Sequence, residues 1–323
     1  MSDAFIGVDI GGTKVAVAVL RDGELSRHDT RPTEVADADS LIEEICALVD
    51  SVRDDDVRAV GVGVPSVIDY EAGAIRTSVN IPLSDLPLRS LLEERIGLPV
   101  FLDNDATVAA LAEACSVADA EVEVENLVMF TVGTGVGGGI VIGGRPYRGA
   151  SGAAAELGHV LIAAELGDGA PEPGKFPQRG SLESLAAGRE LDHLAIAAAE
   201  SSPDSALGRA RAAGEKVDGH LVVTAAGEGD ETAVDLLRLL GERLGIGIAN
   251  AINALDPDVV AIGGGVSIAG DLLLEPARRT AQAYVLPGVG TTTEIRLSKH
   301  GPKAGVLGAA ILAKEELKGR EES

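Results

Sequence analysis

Apolar residues along this 323-residue chain fall in short runs punctuated by glycine. Ala4–Asp9 is apolar until its last residue, Gly11–Gly12 interrupts, and Val15–Leu20 resumes before Asp22–Gly23. That pattern predicts two strands joined as a hairpin through a glycine turn. From Ser40 the period changes. Leu41, Ile45, Leu48, Val49 and Val52 recur at helical spacing behind a serine suited to an N-cap, which predicts a helix over Ser40–Val52. Val57–Val64 reads as a buried strand stopped by Pro65, Leu86–Ile96 as a helix, Val100–Leu102 as a strand, and Asp105–Ala118 as an alanine-rich helix. Alternating strands and helices predict an α/β protein.

A second hairpin-like unit follows: Leu127–Val132, the glycine cluster Gly133–Gly139, then Ile140–Ile142 and a Gly143–Gly144 turn. Val8-Asp9-Ile10-Gly11-Gly12-Thr13 and Thr131-Val132-Gly133-Thr134-Gly135-Val136 share the order strand, Gly/Thr turn, strand, about 120 residues apart. The repeat predicts two related lobes. Downstream, Thr232–Leu255 reads as a long helix and Asp258–Ile262 as a strand ending in Gly263–Gly265. Asp271–Tyr284 reads as a helix, Glu294–Leu297 as a strand and Gly305–Lys318 as a last helix. Gly167–Gly180 is expected to be a loop, and Lys318–Ser323 a frayed tail.

Composition narrows the class. A 46% apolar fraction argues against disorder, and the length suggests about two domains. No run approaches the ~20 apolar residues of a membrane span, and no basic segment precedes the first apolar run as in a signal peptide. Two cysteines, Cys46 and Cys115, make no disulfide framework. The expectation is a soluble cytoplasmic protein. Its 51 acidic and 27 basic residues give a net charge of −24. That opposes nucleic acid and anionic membrane surfaces alike. Scarce lysine, abundant small residues and few aromatics further suggest adaptation to molar salt, where self-repulsion is screened.

The glycine clusters carry the chemistry. Backbone N–H groups in such turns form concavities that hold phosphate oxygens. Gly7–Lys14 nearly matches a P-loop, but ends Thr-Lys and is followed by a strand rather than a helix. Gly133–Gly138 satisfies G-x-G-x-x-G, yet it too leads into a strand, so no helix N-terminus faces a pyrophosphate. Neither familiar motif holds. Matched Gly/Thr turns in two hairpins, with Gly263–Gly265 between a strand and a helix, read instead as phosphate clamps from two lobes around a nucleotide.

Asp9-Ile10-Gly11-Gly12-Thr13-Lys14, Asn104-Asp105-Ala106, Gly133-Thr134-Gly135, Glu156-Leu157-Gly158-His159 and Gly263-Gly264-Gly265 occur in an order that resembles the ROK family. That family includes sugar kinases and sugar-responsive repressors. The resemblance runs from about residue 4 to residue 315. It implies an actin-like two-lobe α/β fold with a cleft between the lobes. Residues 1–104 plus 303–323 would form the smaller lobe and 105–302 the larger.

The implied activity is ATP-dependent phosphorylation of a hexose, glucose first, with fructose, mannose or an N-acetylated hexosamine as alternatives. Asp105 resembles the family's catalytic base, while Asn80, Asn104, Asp105, Glu156, His159 and Glu183 match its sugar-contacting positions. A plain helix cap at Asp103 or Asp105 is the competing reading of that acidic cluster. Asp9 would orient Mg²⁺ through water. Gly11, Gly12 and Thr13, with Thr134 and Gly135, would hold the terminal phosphates, Lys14 would neutralise charge there or else face solvent, and Gly264 and Gly265 would admit the adenosine half. No side chain is expected to ligate a metal directly. The family resemblance also favours a homodimer or higher assembly.

Two departures stand out. Many relatives carry a cysteine zinc motif where this chain has Gly174-Lys175-Phe176-Pro177-Gln178-Arg179-Gly180-Ser181-Leu182-Glu183. The thiol positions are occupied by Gly174, Phe176 and Ser181, so no structural zinc is expected and the orientation of His159 is left open. Ser66 follows Pro65 where the family usually has glycine. A repressor would carry a DNA-binding module before the first glycine motif, and Asp9 leaves it no room; a sensor would not need Asp105. An actin-like ATPase would not explain Glu156-x-x-His159 beside Asn104-Asp105.

Overall fold

A computed structural model of the chain describes all residues except 1, 79, 118–119, 165–171, 173 and 323. The chain divides into two compact units, one of Met1–Met129, Gly139–Ala155 and Lys299–Ser323, the other of Phe130–Gly138 and Glu156–Ser298. The first unit thus takes in 105–129, 139–155 and 299–302, stretches the sequence reading assigned to the larger lobe.

The first unit opens with the expected hairpin, β1 (Ala4–Ile10) antiparallel to β2 (Lys14–Arg21). The sequence reading missed β3 (Glu24–Pro32), an edge strand whose alternation is polar and weak. α1 (Ala38–Val52) buries Leu41, Ile42, Ile45, Leu48, Val49 and Val52. Its cap is Asp37 rather than Ser40: the Asp37 carboxylate accepts from the Ser40 N–H at 2.8 Å. An Asp-x-x-Ser arrangement places the first turn ahead of the serine.

β4 (Val57–Val64) leads through Pro65 into a short hairpin, β5 (Ser66–Asp69) and β6 (Ala74–Ser78). α2 (Leu88–Ile96) starts after Pro87, because Leu86 pairs with Ile75 instead. β7 (Val100–Asn104) runs directly into α3 (Asp105–Ala114). That helix stops short of the expected Ala118, which lies outside the described residues, because Cys115 turns extended and bridges Val122. The sheet order is β3-β2-β1-β4-β7, with β1, β4 and β7 mutually parallel.

The second hairpin comprises β8 (Leu127–Val132) and β9 (Val136–Ile142), followed by the two-residue β10 (Arg145–Pro146). α4 (Leu182–Ala186), α5 (Gly188–Ser201), α6 (Ala206–Ala212) and α7 (Gly219–Gly227) precede the 25-residue α8 (Glu231–Leu255). β11 (Val259–Gly263), α9 (Asp271–Tyr284) and β12 (Glu294–Leu297) complete a sheet ordered β10-β9-β8-β11-β12. Both hairpins therefore head five-stranded sheets, and the repeat read from the glycine turns is a repeat of architecture.

α10 (Ala304–Glu322) returns the chain to the first unit, packing on β1, β4 and α3. It does not fray at Lys318. Arg320 lies 4.4 Å over the Phe101 ring and Glu321 pairs with Arg58 at 2.9 Å, which holds the last turn. Glu113 of α3, fully buried, accepts from the Lys299 and His300 N–H groups at 3.0 Å each and fixes the approach to α10. Among the described residues no helix is long and apolar enough to cross a membrane.

Candidate active site residues and family membership

In the first unit the candidate residues gather at the carboxyl ends of the parallel strands, where open α/β sheets place ligands. Asp9 is the penultimate residue of β1 and pairs with Gly63 of β4; Gly63 in turn pairs with Asp103 of β7. Burial pushes the Asp9 carboxyl up to about 7, the Asp105 carboxylate adds to the rise, and Lys14 opposes it. A Cβ on Gly305 at the start of α10 would collide with the Asp9 carboxylate. Glycine there lets the helix backbone approach that acid.

The turn after Asp9 is closed by the Gly11 N–H donating to the Lys14 carbonyl at 2.8 Å. Thr33 anchors it from the end of β3, its hydroxyl donating to the Gly11 carbonyl at 2.6 Å. Gly12, Thr13 and Lys14 are exposed. Asn80 adjoins this turn, since a Cβ on Gly12 would lie 3.5 Å from its own Cβ.

Asp105 is the first residue of α3, and Asn104 is its cap. The Asn104 Oδ1 accepts from the Ala106 and Thr107 N–H groups at 3.0 and 3.2 Å. The cap is thus neither Asp103 nor Asp105. Asp103 instead lies fully buried beneath the turn, accepting from the Tyr70 hydroxyl, the Arg148 Nε at 2.9 Å and the Asn104 N–H at 2.7 Å. Arg148 also pairs with Glu316 at 3.0 Å and covers the Tyr70 ring at 4.6 Å. Burial pushes the Asp103 carboxyl up while these donors pull it back. The network fixes the end of β7, and through it the first turn carrying Asp105. Sequence reasoning missed Tyr70 and Arg148; both partners are distant in sequence and no motif marks either.

The second unit gathers the other candidates. The turn after β8 closes with the Gly133 N–H donating to the Gly135 carbonyl at 2.9 Å, and leaves Thr134 exposed. Glu183, in the first turn of α4, reaches this turn: its Oε2 accepts from the Val136 N–H at 2.8 Å. A Cβ on Gly135 would strike that carboxylate. Gly264 (φ 86°) and Gly265 open a 3₁₀ turn after β11, and Gly264 abuts the backbone of Val132.

Glu156 precedes and His159 ends a second 3₁₀ turn, Leu157–His159, with the Glu156 Oε2 3.8 Å from the His159 Nε2. Phe176 meets the His159 ring edge-on with centroids 5.3 Å apart. Ser181 is fully buried and caps α4 by accepting from the Ser184 N–H at 3.2 Å. The Leu161–Ser181 bridge and the Leu182 N–H to Val160 carbonyl bond, 2.9 Å, join the two ends of this loop. Among the described residues no group of three His, Cys, Asp or Glu side chains is arranged to hold a metal.

Asp9, Gly11–Lys14, Asn80, Asn104 and Asp105 thus belong to one unit, and Thr134, Gly135, Glu156, His159, Glu183, Gly264 and Gly265 to the other. Known proteins resemble the chain over nearly its whole length. A glucokinase of Halalkalibacterium halodurans is 36% identical over 98% of this chain and 97% of its own length. An N-acetyl-D-glucosamine kinase of Aliivibrio fischeri is 34% identical over 95% of this chain and 98% of that protein. The crystal structure of a ROK family glucokinase from Streptomyces griseus, in complex with glucose and AMPPNP, matches with a TM-score of 0.81 and 33% identity. That match covers 97% of this chain and 99% of the other. With both glycine hairpins, the Asn104-Asp105 turn and the Glu156–His159 turn inside residues 5–316 matched by the family model, the chain belongs to the ROK family.

Proposed function

We propose that the protein is an ATP-dependent hexose kinase that phosphorylates glucose to glucose 6-phosphate. The similarity to glucokinases over nearly the whole chain supports the reaction class. The observation that carries the chemistry is Asp105 at the first turn of α3, electrostatically coupled to Asp9 at the end of β1.

In this reading Asp105 accepts the proton of the sugar hydroxyl as that oxygen bonds to the γ-phosphorus and ADP leaves. Phosphoryl transfer asks mainly for positioning and charge neutralisation, so a carboxylate held by a capped helix turn suffices as the base. Glu156, His159, Glu183, Asn80 and Asn104 hold the sugar, through carboxylates that accept from hydroxyls and side chains that both donate and accept. Gly11, Gly12, Thr13 and Lys14, with Thr134 and Gly135, hold the terminal phosphates; Gly264 and Gly265 admit the adenosine half. Mg²⁺ fits beside Asp9, because a buried carboxyl raised by a second acid is relieved by a cation. When bound, the ion neutralises phosphate charge.

Phe176 and Ser181 take over the loop that zinc organises in many relatives, so the reading includes no structural zinc. It also includes a cytoplasmic location, a homodimer or higher assembly, and no nucleic-acid or membrane partner. The N-acetylhexosamine alternative keeps weight from the A. fischeri relative.

The test is ADP release from MgATP with a hexose panel, alongside Asp105→Asn. Turnover should depend on the sugar and fall by about 10²–10⁴-fold in the variant. Equal turnover in both proteins would remove Asp105 from the chemistry, and no turnover with any hexose would favour a sensor.

A further inference from the structure

Three arginines meet around one cavity in the first unit, in a chain whose acids outnumber its bases 51 to 27. Arg89 comes from α2, Arg148 from the segment after β10 and Arg320 from the last turn of α10, while Tyr70 and Glu316 complete the polar wall. Phe101, Leu102 and Leu312 form the apolar part. The volume is about 240 Å³, the share of roughly eight water molecules in the liquid. None of these residues is among those assigned above to sugar or nucleotide.

Two of the guanidinium groups are held in place with donors to spare. Arg89 packs against Gly73, where an added Cβ would strike its side chain, and its Nη2 donates to the Tyr70 carbonyl at 2.8 Å. Arg148 lies over the Tyr70 ring, donating from Nε to Asp103 at 2.9 Å and from Nη2 to Glu316 at 3.0 Å. The two forks thus flank Tyr70, and neither Nη1 finds an acceptor among the described residues. Arg320 is exposed and covers the Phe101 ring at 4.4 Å. Forks fixed in this way suit an anion, because little side-chain freedom is left to lose on binding. Their number indicates which anion. A carboxylate offers two oxygens, which one fork satisfies; three forks match the three terminal oxygens of a phosphomonoester. The apolar wall and the space left beside a phosphate suit a carbon skeleton of a few atoms.

We infer that this cavity binds a phosphomonoester with a short carbon skeleton, and that the bound anion lowers turnover through Arg148. The same guanidinium holds Asp103, which fixes the end of β7 that carries Asp105. A dianion beside it competes with Asp103 and Glu316 for its donors. The binding stands apart from the hexose-kinase reading; the effect on turnover rests on it.

The experiment measures glycerol 3-phosphate binding by calorimetry to the full chain saturated with glucose and AMPPNP, so that the positions assigned to catalysis are filled. Glycerate, glycerol and inorganic phosphate stand in for the carboxylate, the neutral skeleton and the headgroup alone. One site per chain is expected, tightest for glycerol 3-phosphate and silent to glycerol. Arg89→Gln and Arg320→Gln should each weaken binding roughly 10–100-fold, the worth of lost hydrogen bonds between charged groups. At saturating glucose and MgATP, glycerol 3-phosphate should lower kcat severalfold in the wild type and far less in either variant. No binding at millimolar ligand overturns the site, as does equal affinity in the wild type and both variants. Glycerate or inorganic phosphate binding as tightly as the ester overturns the ligand class. Binding with kcat unchanged overturns the link to Asp105. Thermal unfolding identifies a variant that fails to fold, and the other then carries the comparison. Absence of hexose-dependent turnover overturns the kinase reading instead, while calorimetry still decides the site.

Discussion

Asp9 is an unusual carboxyl, since burial and the neighbouring Asp105 hold it near pH 7 against Lys14. A folded-state pKa above the unfolded one means that the native protein keeps a proton which the unfolded chain has released. Stability contributed at this site is therefore lost as pH rises from about 4 to about 7, and is constant outside that window. Asp9→Asn removes the titration. Urea midpoints of variant and wild type should diverge as pH rises across the window, in favour of the variant, and run parallel above it. A constant difference from pH 4 to 8 would refute the coupling. That Asp9 and Asp105 stand beside tight turns was legible from Asp9-Ile10-Gly11-Gly12 and Asp103-Asn104-Asp105, because the spacing of acid and turn is local. The division of labour inside the second cluster was not. Asn104 caps the helix and Asp103 is consumed by Tyr70 and Arg148, partners 33 and 45 residues away in sequence.

Helices and strands with strong apolar periods, such as α1, β4 and α8, were visible in the chain because burial dictates their pattern. β3 and the β5–β6 hairpin escaped: their burial alternates with charged and polar residues, and their partners lie elsewhere in the sheet or across a short turn. The helix end at Glu322 was hidden for a related reason. Its last turn is polar and is held by contacts to Arg58 and Phe101 that no local signal encodes. The α4 region is held by contacts of its own chain. Ser181 caps the helix, and α4 presents Glu183 to the Val136 N–H. Ser181→Ala should lower stability by about 1 kcal/mol, the usual worth of such a cap, read as a shift in the urea midpoint. A zinc chelator should leave the wild-type midpoint unchanged. A chelator-sensitive midpoint would show that a metal still holds this loop.

Across the whole molecule, 51 acidic and 27 basic residues oppose one another unequally, leaving −24. Salt weakens attraction and repulsion together, so the imbalance decides the sign of its effect. Many ion pairs here are exposed, Arg58–Asp3 and Arg238–Glu242 among them, and such pairs contribute only about 0–1 kcal/mol each. The Asp103–Arg148 pair, with its carboxylate fully buried, is better shielded from solvent ions and should change less. Unpaired carboxylates repelling across the surface are then the larger screened quantity, and KCl should stabilise the fold. The Debye length contracts from about 10 Å at 0.1 M to about 3 Å at 1 M, and little further range remains to be screened. The melting temperature should therefore rise most steeply below about 1 M KCl and flatten beyond it. Sucrose, which stabilises by exclusion from the surface without screening charge, should give no such curvature. The same repulsion acts on an incoming anionic nucleotide, so KM for MgATP should fall over the same range of salt. A melting temperature that stays level or declines between 0.1 and 1 M KCl would mean that the acidic surface is solvation alone, with no adaptation to concentrated salt.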